Sequence, residues 1–309
     1  MRELTAAEAR RLRAEAQLLT GSPLAPAQVV AHFGAMQGQD LAQVLKAVAM
    51  RSRPGTTPED VRAAFDDGSL VRGWPMRGTL FVIAPADLAG IVRITGPTLQ
   101  TTLRGRRRFL GLTDDDFALA KSVAVAALAE RPRSRAELAE LWAEAGVPRG
   151  PGHDYHFTST LAIDGVLALG PFEGKEQLVV PLAPPEEAAD AFLVRFARAF
   201  YAARGPATLD DFAWWAKLPK RALKPAVDAI EGLEEVSVEG RQMLLLESGV
   251  PSRGSAPAEL VVPGFDEWIL GYQDRSLVAT PEVMSEVATV NGIFRAARLV
   301  DGVVVGLAG

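Results

Sequence analysis

The chain has 309 residues, of which 48% are hydrophobic and 23% are charged, and its formal net charge is −5. This ordinary globular composition excludes a disordered chain and a uniformly basic nucleic-acid coat. The absence of cysteine excludes disulfides, thiol catalysis and cysteine-ligated metals. No run of about 18 apolar residues occurs, and the N-terminus lacks the apolar core of a signal peptide. We therefore expect a cytoplasmic protein of several packed units that does not associate with membranes.

The N-terminal part of the chain predicts helices. Residues 1–17 predict an exposed amphipathic helix. Further along, Asp40 followed by Gln43 predicts an N-cap and its partner in the first turn of a helix over 41–51. A helix N-terminus is a favourable place for a phosphate group.

Two glutamines lie just before this predicted helix. Gln37 and Gln39 flank Gly38, and residues two apart on extended backbone point to the same side. In a helix the same residues would point about 200° apart. The two amides can therefore converge on one small space only if Gly38 interrupts the helix. The alternative is that both glutamines cap backbone groups in a turn between two helices.

A weak internal repeat organises the middle of the chain. Helix-start signals at Thr57, Ser134 and Thr208 lie 77 and 74 residues apart, and Ser134 begins a capping-box pattern. After each signal the sequence predicts helices and then a two-stranded hairpin, with turns near 172–175 and 239–240 in the second and third copies. This order is typical of winged helices.

The pattern becomes strand-rich towards the C-terminus. Strands are predicted over 260–263, 288–290 and 298–305. A strand-like run close to Gly309 leaves open whether the natural chain continues or its last strands pair unusually. The predicted fold class is mainly α with small β wings (α+β), with tandem winged-helix units and a C-terminal β-rich, barrel-like piece. The predicted domains are N-terminal helices with a first winged helix (1–110), a second winged helix (111–183), a third (184–250) and the β-rich piece (251–309).

Positive charge is concentrated in one segment of this acidic protein. Residues 51–108 contain ten arginines and five acidic residues. Such an asymmetry is typical of nucleic-acid-binding proteins, although a solvated basic face without a partner would have the same composition. The candidate DNA contacts are Arg51, Arg53, Arg72, Arg77, Arg104, Arg106, Arg107 and Arg108.

The three histidines do not indicate a metal site. His153 and His156 are expected on the recognition helix of the second unit, in contact with solvent or phosphate, because a metal would need a third ligand at matching geometry. His32 lies in an apolar helix and is expected to be partly buried. Core positions are expected for Trp214, Trp215 and Trp268.

Four segments together resemble the AlkZ/YcaQ family of winged-helix DNA glycosylases. They are MQGQD at 36–40, MRSR at 50–53, VRGWPMRGTL at 71–80 and VPGFDEWILGYQDR at 262–275. The resemblance covers nearly the whole chain and implies tandem winged helices with a C-terminal β-barrel. It depends on all four motifs in this order, because each alone is weak.

The resemblance also implies a catalytic pair. The family's catalytic element is a glutamine, an aliphatic residue and then a glutamine or aspartate, which maps onto Gln37 and Gln39 and matches the AlkZ-like branch. Two positions depart from the family pattern: Gly38 stands at the aliphatic position, and Phe81 stands where the family often has histidine.

The function that this resemblance implies is hydrolysis of the N-glycosidic bond of N-alkylated nucleotides. N7-alkylguanine is the expected substrate class, including bulky or crosslinked adducts, and Gln37 and Gln39 would position water and stabilise an oxocarbenium-like sugar. The expected partner is double-stranded DNA that carries alkylated bases, bound by a monomer that needs no cofactor or metal. The alternative is a non-catalytic winged-helix DNA-binding protein or transcriptional regulator.

Overall fold

The computed structural model describes residues 1–247, 249–251, 254 and 256–308, so Gly309 lies outside the described residues. The helices are α1 (Ala6–Ala16), α2 (Pro26–Phe33), α3 (Leu41–Ala49), α4 (Pro58–Asp66), α5 (Pro85–Leu110), α6 (Asp114–Glu130), α7 (Arg135–Glu144), α8 (His153–Ile163), α9 (Ala189–Arg204), α10 (Leu209–Ala216), α11 (Lys220–Asp228), α12 (Glu267–Leu270) and α13 (Pro281–Val287). The strands are β1 (Arg2–Leu4), β2 (Met36–Gln37), β3 (Val71–Met76), β4 (Thr79–Ile83), β5 (Leu167–Glu173), β6 (Glu176–Pro181), β7 (Glu234–Val238), β8 (Arg241–Leu245), β9 (Glu259–Val262), β10 (Ala297–Val300) and β11 (Val303–Leu307).

The predicted helix starts are where the sequence placed them. Thr57, Ser134 and Thr208 lie at the beginnings of α4, α7 and α10, and each side chain accepts a hydrogen bond from the backbone N–H three residues later. An acidic side chain at that later position accepts a bond back from the cap's own N–H. These reciprocal bonds satisfy donors that a helix N-terminus otherwise leaves unpaired, which is why the repeat was visible in the sequence.

The chain divides into two compact units. One, here called the composite unit, combines Met1–Arg62 with Asp190–Gly309, and the other, the central unit, is Ala63–Ala189. These boundaries differ from those of the four predicted segments because strands pair outside their own helix–hairpin repeat. The assignment of winged-helix segments to 1–110, 111–183 and 184–250 stays a prediction.

The central unit joins two predicted wings in one sheet. Its strand order is β4-β3-β5-β6 with antiparallel neighbours, and the two hairpins meet where Arg72 pairs with Leu169. A core of aromatic and aliphatic side chains packs beneath the helices of this unit. Trp142 and Phe157 are buried at its centre, and the Trp142 indole N–H donates to the Ala120 carbonyl at 2.9 Å.

The composite unit draws its sheets from distant parts of the chain. Strand β1 pairs parallel with β7, which continues antiparallel to β8. Strands β9, β10 and β11 form a second, antiparallel sheet around the buried Trp268. Trp215 is also buried, as predicted, whereas Trp214 is half-buried. The short strand β1 was not predicted, because its partner lies more than 200 residues away.

One strand prediction is wrong. Residues 288–290 follow α13 without forming a strand, and only an isolated bridge joins Ala288 to Phe294. Val290 is fully exposed, so its apolar side chain is not buried as it would be in the core face of a sheet. Within the described residues, no helix has the length and apolar character needed to cross a membrane.

We predict that two glycines of α5 respond oppositely to substitution by alanine. A Cβ at Gly96 would lie 2.8 Å from the Ile163 carbonyl oxygen of α8, whereas nothing lies within 4 Å of a Cβ at Gly105. Gly96→Ala should lower the free energy of unfolding by about 1–3 kcal/mol through overpacking. Gly105→Ala should raise it by about 0.5–1 kcal/mol through helix propensity. Urea denaturation measures both, and equal stability of the two variants would contradict the close packing of α5 on α8.

Candidate active site and DNA-contact residues

The segment that carries the two glutamines is not helical. Helix α2 ends before Gly34, which has a left-handed φ of 72°, and extended backbone follows in β2. Asp40, at the start of α3, also has extended backbone, with φ −103° and ψ 110°. The chain is therefore interrupted between α2 and α3, as convergence of the two amides requires, but the glycine with positive φ at this break is Gly34 and not Gly38.

The two glutamine side chains differ in exposure. Gln37 is 5% exposed, whereas Gln39 is exposed to solvent. The backbone between them permits both amides to serve one space, but one side chain belongs to the interior and the other to the surface. Their convergence on a substrate stays a prediction.

Asp40 caps α3 as expected, whereas the Gln43 side chain bonds to a distant backbone group. The Asp40 carboxylate accepts a hydrogen bond from the Gln43 backbone N–H at 3.1 Å. The Gln43 side chain does not complete a capping box, because its Oε1 instead accepts from the Gly264 N–H at 3.0 Å. A Cβ at Gly264 would lie 2.6 Å from the Phe294 carbonyl oxygen, so only glycine fits this close approach. The start of α3 is thereby tied to the segment that precedes α12.

A buried ion pair holds the backbone that leads into Gln37. Glu267 and Arg204 are at most 1% exposed, and Glu267 Oε2 accepts from Arg204 Nη2 at 2.7 Å. Arg204 also donates to the carbonyl oxygens of Phe33 and Ala35, each at 3.0 Å. The other carboxylate oxygen, Glu267 Oε1, accepts from the Gln37 N–H at 2.7 Å. One pair of charges therefore satisfies three backbone groups of residues 33–37.

A second buried pair lies beside the first, and it corrects one prediction. Arg51 is 0% exposed and makes two hydrogen bonds to Asp266, at 2.7 and 2.9 Å. Its remaining donors reach the carbonyl oxygens of Gln17 and Ala47. Arg51 is therefore a structural residue of the interior and not a DNA contact. Its position in a basic segment was misleading because charge counting ignores burial.

Polar side chains of α1 and its C-terminal end complete the network. The Gln17 amide donates to the Glu267 carbonyl and the Tyr272 hydroxyl, which donates in turn to the Arg204 carbonyl at 2.9 Å. Burial raises the pKa of Tyr272, so its hydroxyl keeps its proton as a donor. Burial lowers the pKa of Arg13, whose guanidinium lies 3.8 Å from the centre of the Tyr272 ring.

The other predicted DNA-contact arginines fall into two groups. Arg72, Arg77 and Arg107 are half-buried and have partners inside the central unit. Arg72 donates to Gln177 at 3.1 Å, and Arg77 lies over the Phe81 ring. Arg107 bonds to Gln100 and lies 4.3 Å from the centre of the Phe117 ring. The exposed arginines are Arg53, Arg104, Arg106 and Arg108. The exposed group is therefore the more accessible to phosphates.

His156 is less accessible than predicted, whereas His153 is half-buried at the start of α8. His156 is on α8 as expected, but it is 4% exposed rather than in contact with solvent or phosphate. Burial and the charges of Arg107 and Arg106 lower its pKa to about 4, so the ring is neutral near pH 7. His32 is half-buried with its Nε2 2.8 Å from the Ala16 carbonyl, which confirms its predicted environment. No cluster of three or more possible metal-ligating side chains occurs among the described residues.

Sequence reasoning did not assign roles to Asp266, Glu267 and Arg204. The available signal was two adjacent acidic residues inside the apolar run from Val261 to Leu270. Acidic residues at core positions are almost always paired when buried. Their partners come from α9 and from the end of α3, which sequence order alone does not bring together.

Comparisons with known proteins agree with the resemblance stated above. The family described as "DNA glycosylase AlkZ-like" matches residues 30–309. A relative from Streptomyces sahachiroi, described as an interstrand DNA cross-link repair glycosylase, is 28% identical over 277 residues, which cover 81% of this chain and 72% of the relative. The solved structure of the Streptomyces sahachiroi DNA glycosylase AlkZ is similar with a TM-score of 0.83 and 24% identity, over 99% of this chain and 88% of that one. The predicted fold class is confirmed.

We predict that neighbouring arginines at the end of α3 have different roles. Arg51→Ala should lower the free energy of unfolding by about 3–5 kcal/mol, because it leaves the Asp266 carboxylate buried without its partner. Arg53→Ala, at an exposed position, should change it by no more than about 0.5 kcal/mol. Urea denaturation distinguishes the two. An Arg51→Ala variant of unchanged stability would mean that the buried pair does not exist in solution.

Proposed function

The chain belongs to the family of AlkZ-like DNA glycosylases, and on that premise we propose that it hydrolyses the N-glycosidic bond of N-alkylated nucleotides, with N7-alkylguanine as its main substrate. The observation that carries this proposal is the interrupted segment between α2 and α3. Two carboxamides lie there two residues apart, next to a helix N-terminus. The buried pair of Glu267 and Arg204 holds the backbone that leads into the first of them.

The chemistry of carboxamides limits the substrate. A glutamine side chain is neutral and accepts a proton poorly, so it cannot act as a strong general base. Alkylation at guanine N7 already places positive charge on the base and makes it a good leaving group. The protein then needs to orient water and stabilise positive charge that develops on the sugar, which carbonyl oxygens do well.

The bond changes follow from these roles of the charged base and of the protein. The bond between C1′ of the sugar and N9 of the base breaks, and its electron pair goes to the base and neutralises the charge at N7. The oxygen of a water molecule bonds to C1′, and the proton that this water loses passes to solvent. The products are a free alkylguanine and an abasic site. This hydrolysis requires no cofactor.

The difference in exposure suggests separate roles for the two glutamines. In the proposed mechanism the exposed Gln39 reaches the DNA sugar. The buried Gln37 orients the water, because an amide dipole in low dielectric interacts more strongly than one in bulk solvent. The exposed Arg53, Arg104, Arg106 and Arg108 would bind phosphates of the duplex.

The substrate class extends to crosslinks on chemical grounds. An interstrand crosslink made through guanine N7 carries the same positive charge on the base as a simple alkyl adduct. The name of the Streptomyces sahachiroi relative refers to interstrand DNA cross-link repair in general. We propose that this protein also unhooks N7-linked crosslinks, acting as a monomer in the cytoplasm on the nucleoid.

Removal of either carboxamide should slow the chemical step. Gln37→Ala and Gln39→Ala should each reduce excision of N7-alkylguanine by about 10- to 1000-fold while duplex binding persists. The measurement is a single-turnover assay on alkylated duplex, followed by alkaline cleavage at abasic sites, with simple and bulky adducts compared.

The same assay separates catalysis from simple DNA binding. A non-catalytic regulator would bind duplex DNA and release no base from any adduct. If the wild-type protein excises but the double Gln37→Ala/Gln39→Ala variant is equally fast, the glutamines have no part in the mechanism.

The exposed arginines should govern the salt dependence of binding. Each of Arg104, Arg106 and Arg108 that contacts a phosphate should contribute about 0.9 to the slope of log affinity against log salt concentration. Replacing all three by glutamine should therefore reduce the slope and weaken binding to any duplex sequence alike. The control is Arg131→Gln, since Arg131 is exposed but already paired with Glu137. An unchanged slope in the triple variant would remove these residues from the interface.

A further inference from the structure

The buried pair of Arg204 and Glu267 is placed at an unusual point in the chain. Its hydrogen bonds to the Phe33 carbonyl, the Ala35 carbonyl and the Gln37 N–H all act on the five residues that end at a proposed catalytic side chain. The two oxygens of Glu267 bind different donors: Oε2 accepts from Arg204, and Oε1 accepts from the Gln37 N–H.

Stability alone is a poor explanation for this pair. Taking two charges out of water is costly, and apolar side chains of similar volume often stabilise a fold as well as a buried ion pair does. A pair retained in the interior is more easily understood if the groups around it need one defined position. Its geometry must then be rigid.

The arginine is fixed from several directions. Its guanidinium lies 4.2 Å from the centre of the Trp215 ring, 5.2 Å from that of Phe33 and 5.3 Å from that of Phe200. These aromatic faces hold a planar cation by cation–π contact and exclude water from it.

The glutamate is equally constrained. It is the first residue of α12, whose N-cap Asp266 accepts from the Trp268 N–H at 2.9 Å and is itself paired with Arg51. The Glu267 carbonyl accepts from the Gln17 amide. The carboxylate that reaches Gln37 therefore has little freedom to move.

We infer that Arg204 and Glu267 form a positioning pair for Gln37, an inference that rests on the proposed role of Gln37 in excision. On extended backbone, the direction of a residue's N–H and of the preceding carbonyls fixes the direction of its Cα–Cβ bond. The hydrogen bond from the Gln37 N–H to the rigid, buried Glu267 carboxylate therefore orients the Gln37 carboxamide. A displacement of about 1 Å at such a group can slow a reaction by about 100-fold.

Two double variants isolate the bond to Gln37. Arg204→Met/Glu267→Gln removes the charges but keeps an oxygen that can accept from the Gln37 N–H, and its amide group can donate to a carbonyl that Arg204 leaves. Arg204→Met/Glu267→Met removes the charges and the acceptor together. Both variants lose the same ion pair and differ only at residue 267, where the first keeps a polar amide that can accept from the Gln37 N–H and the second does not.

The positioning pair predicts different rates for these variants. Single-turnover excision should fall in both variants, and by about 10- to 100-fold more in the methionine variant than in the glutamine variant. Affinity for undamaged duplex should be the same in both. Equal excision rates in two folded variants would overturn the inference. Arg133→Met is the control, because the Arg133 side chain is largely buried in the central unit and bonds to the Ala127 carbonyl and to Glu130, not to residues 33–37; it should leave excision unchanged.

Amide hydrogen exchange of Gln37, measured by NMR, tests positioning without any activity. Exchange should be slow in the wild type and in the glutamine variant, and at least about tenfold faster in the methionine variant. If the wild type excises no alkylated base, the proposed function fails, and slow exchange at Gln37 still supports the pair as its backbone anchor. If the methionine variant does not fold, the test is made on the wild type by comparing the exchange rates of the Gln37 and Gln39 amides. A Gln37 amide that exchanges as fast as that of Gln39 overturns the inference.

Discussion

Two adjacent buried carboxylates of the composite unit, through the arginines that they bind, hold the backbone around the proposed active site. Asp266 and Glu267 each bind one buried arginine, Arg51 at the end of α3 and Arg204 at the end of α9. Uncompensated charges at these positions would be very costly, so each arginine has to be in place for the unit to pack. The same constraint fixes the chain on both sides of the segment that carries Gln37 and Gln39. A stable interior and a defined geometry between α2 and α3 thus have a common cause.

Under the proposed mechanism, this arrangement would allow a protein with weak acid–base groups to catalyse hydrolysis. Neutral carboxamides do little for a substrate with a stable leaving group, but they suit one whose base already carries positive charge. The protein's contribution is then the placement of dipoles, and placement depends on a rigid backbone. Selectivity for alkylated bases would follow from this chemistry alone, because an undamaged base lacks the charge that makes it leave.

The arginines show why composition is an incomplete guide to function. Arg51 lies in the basic segment but is buried in the interior. Arg107 bonds to Gln100 and packs on the Phe117 ring. Arg106 and Arg108, one residue to either side of Arg107, are exposed. On a helix such as α5, residues one apart face different surroundings, so one run of arginines contributes to both packing and surface charge.

The sequence by itself determined the local features: the caps at Thr57, Ser134 and Thr208, the hairpins and the joint before α3, because each depends on bonds between residues a few positions apart. The four motifs at 36–40, 50–53, 71–80 and 262–275, taken together and in this order, also indicated the family. Tertiary structure alone decided that Gln37 is buried, that Arg51 pairs with Asp266, and that β1 joins β7. These facts depend on contacts between residues far apart in the chain, and hydrophobic periodicity carries no information about which distant partner a buried charge or an unpaired strand edge will find.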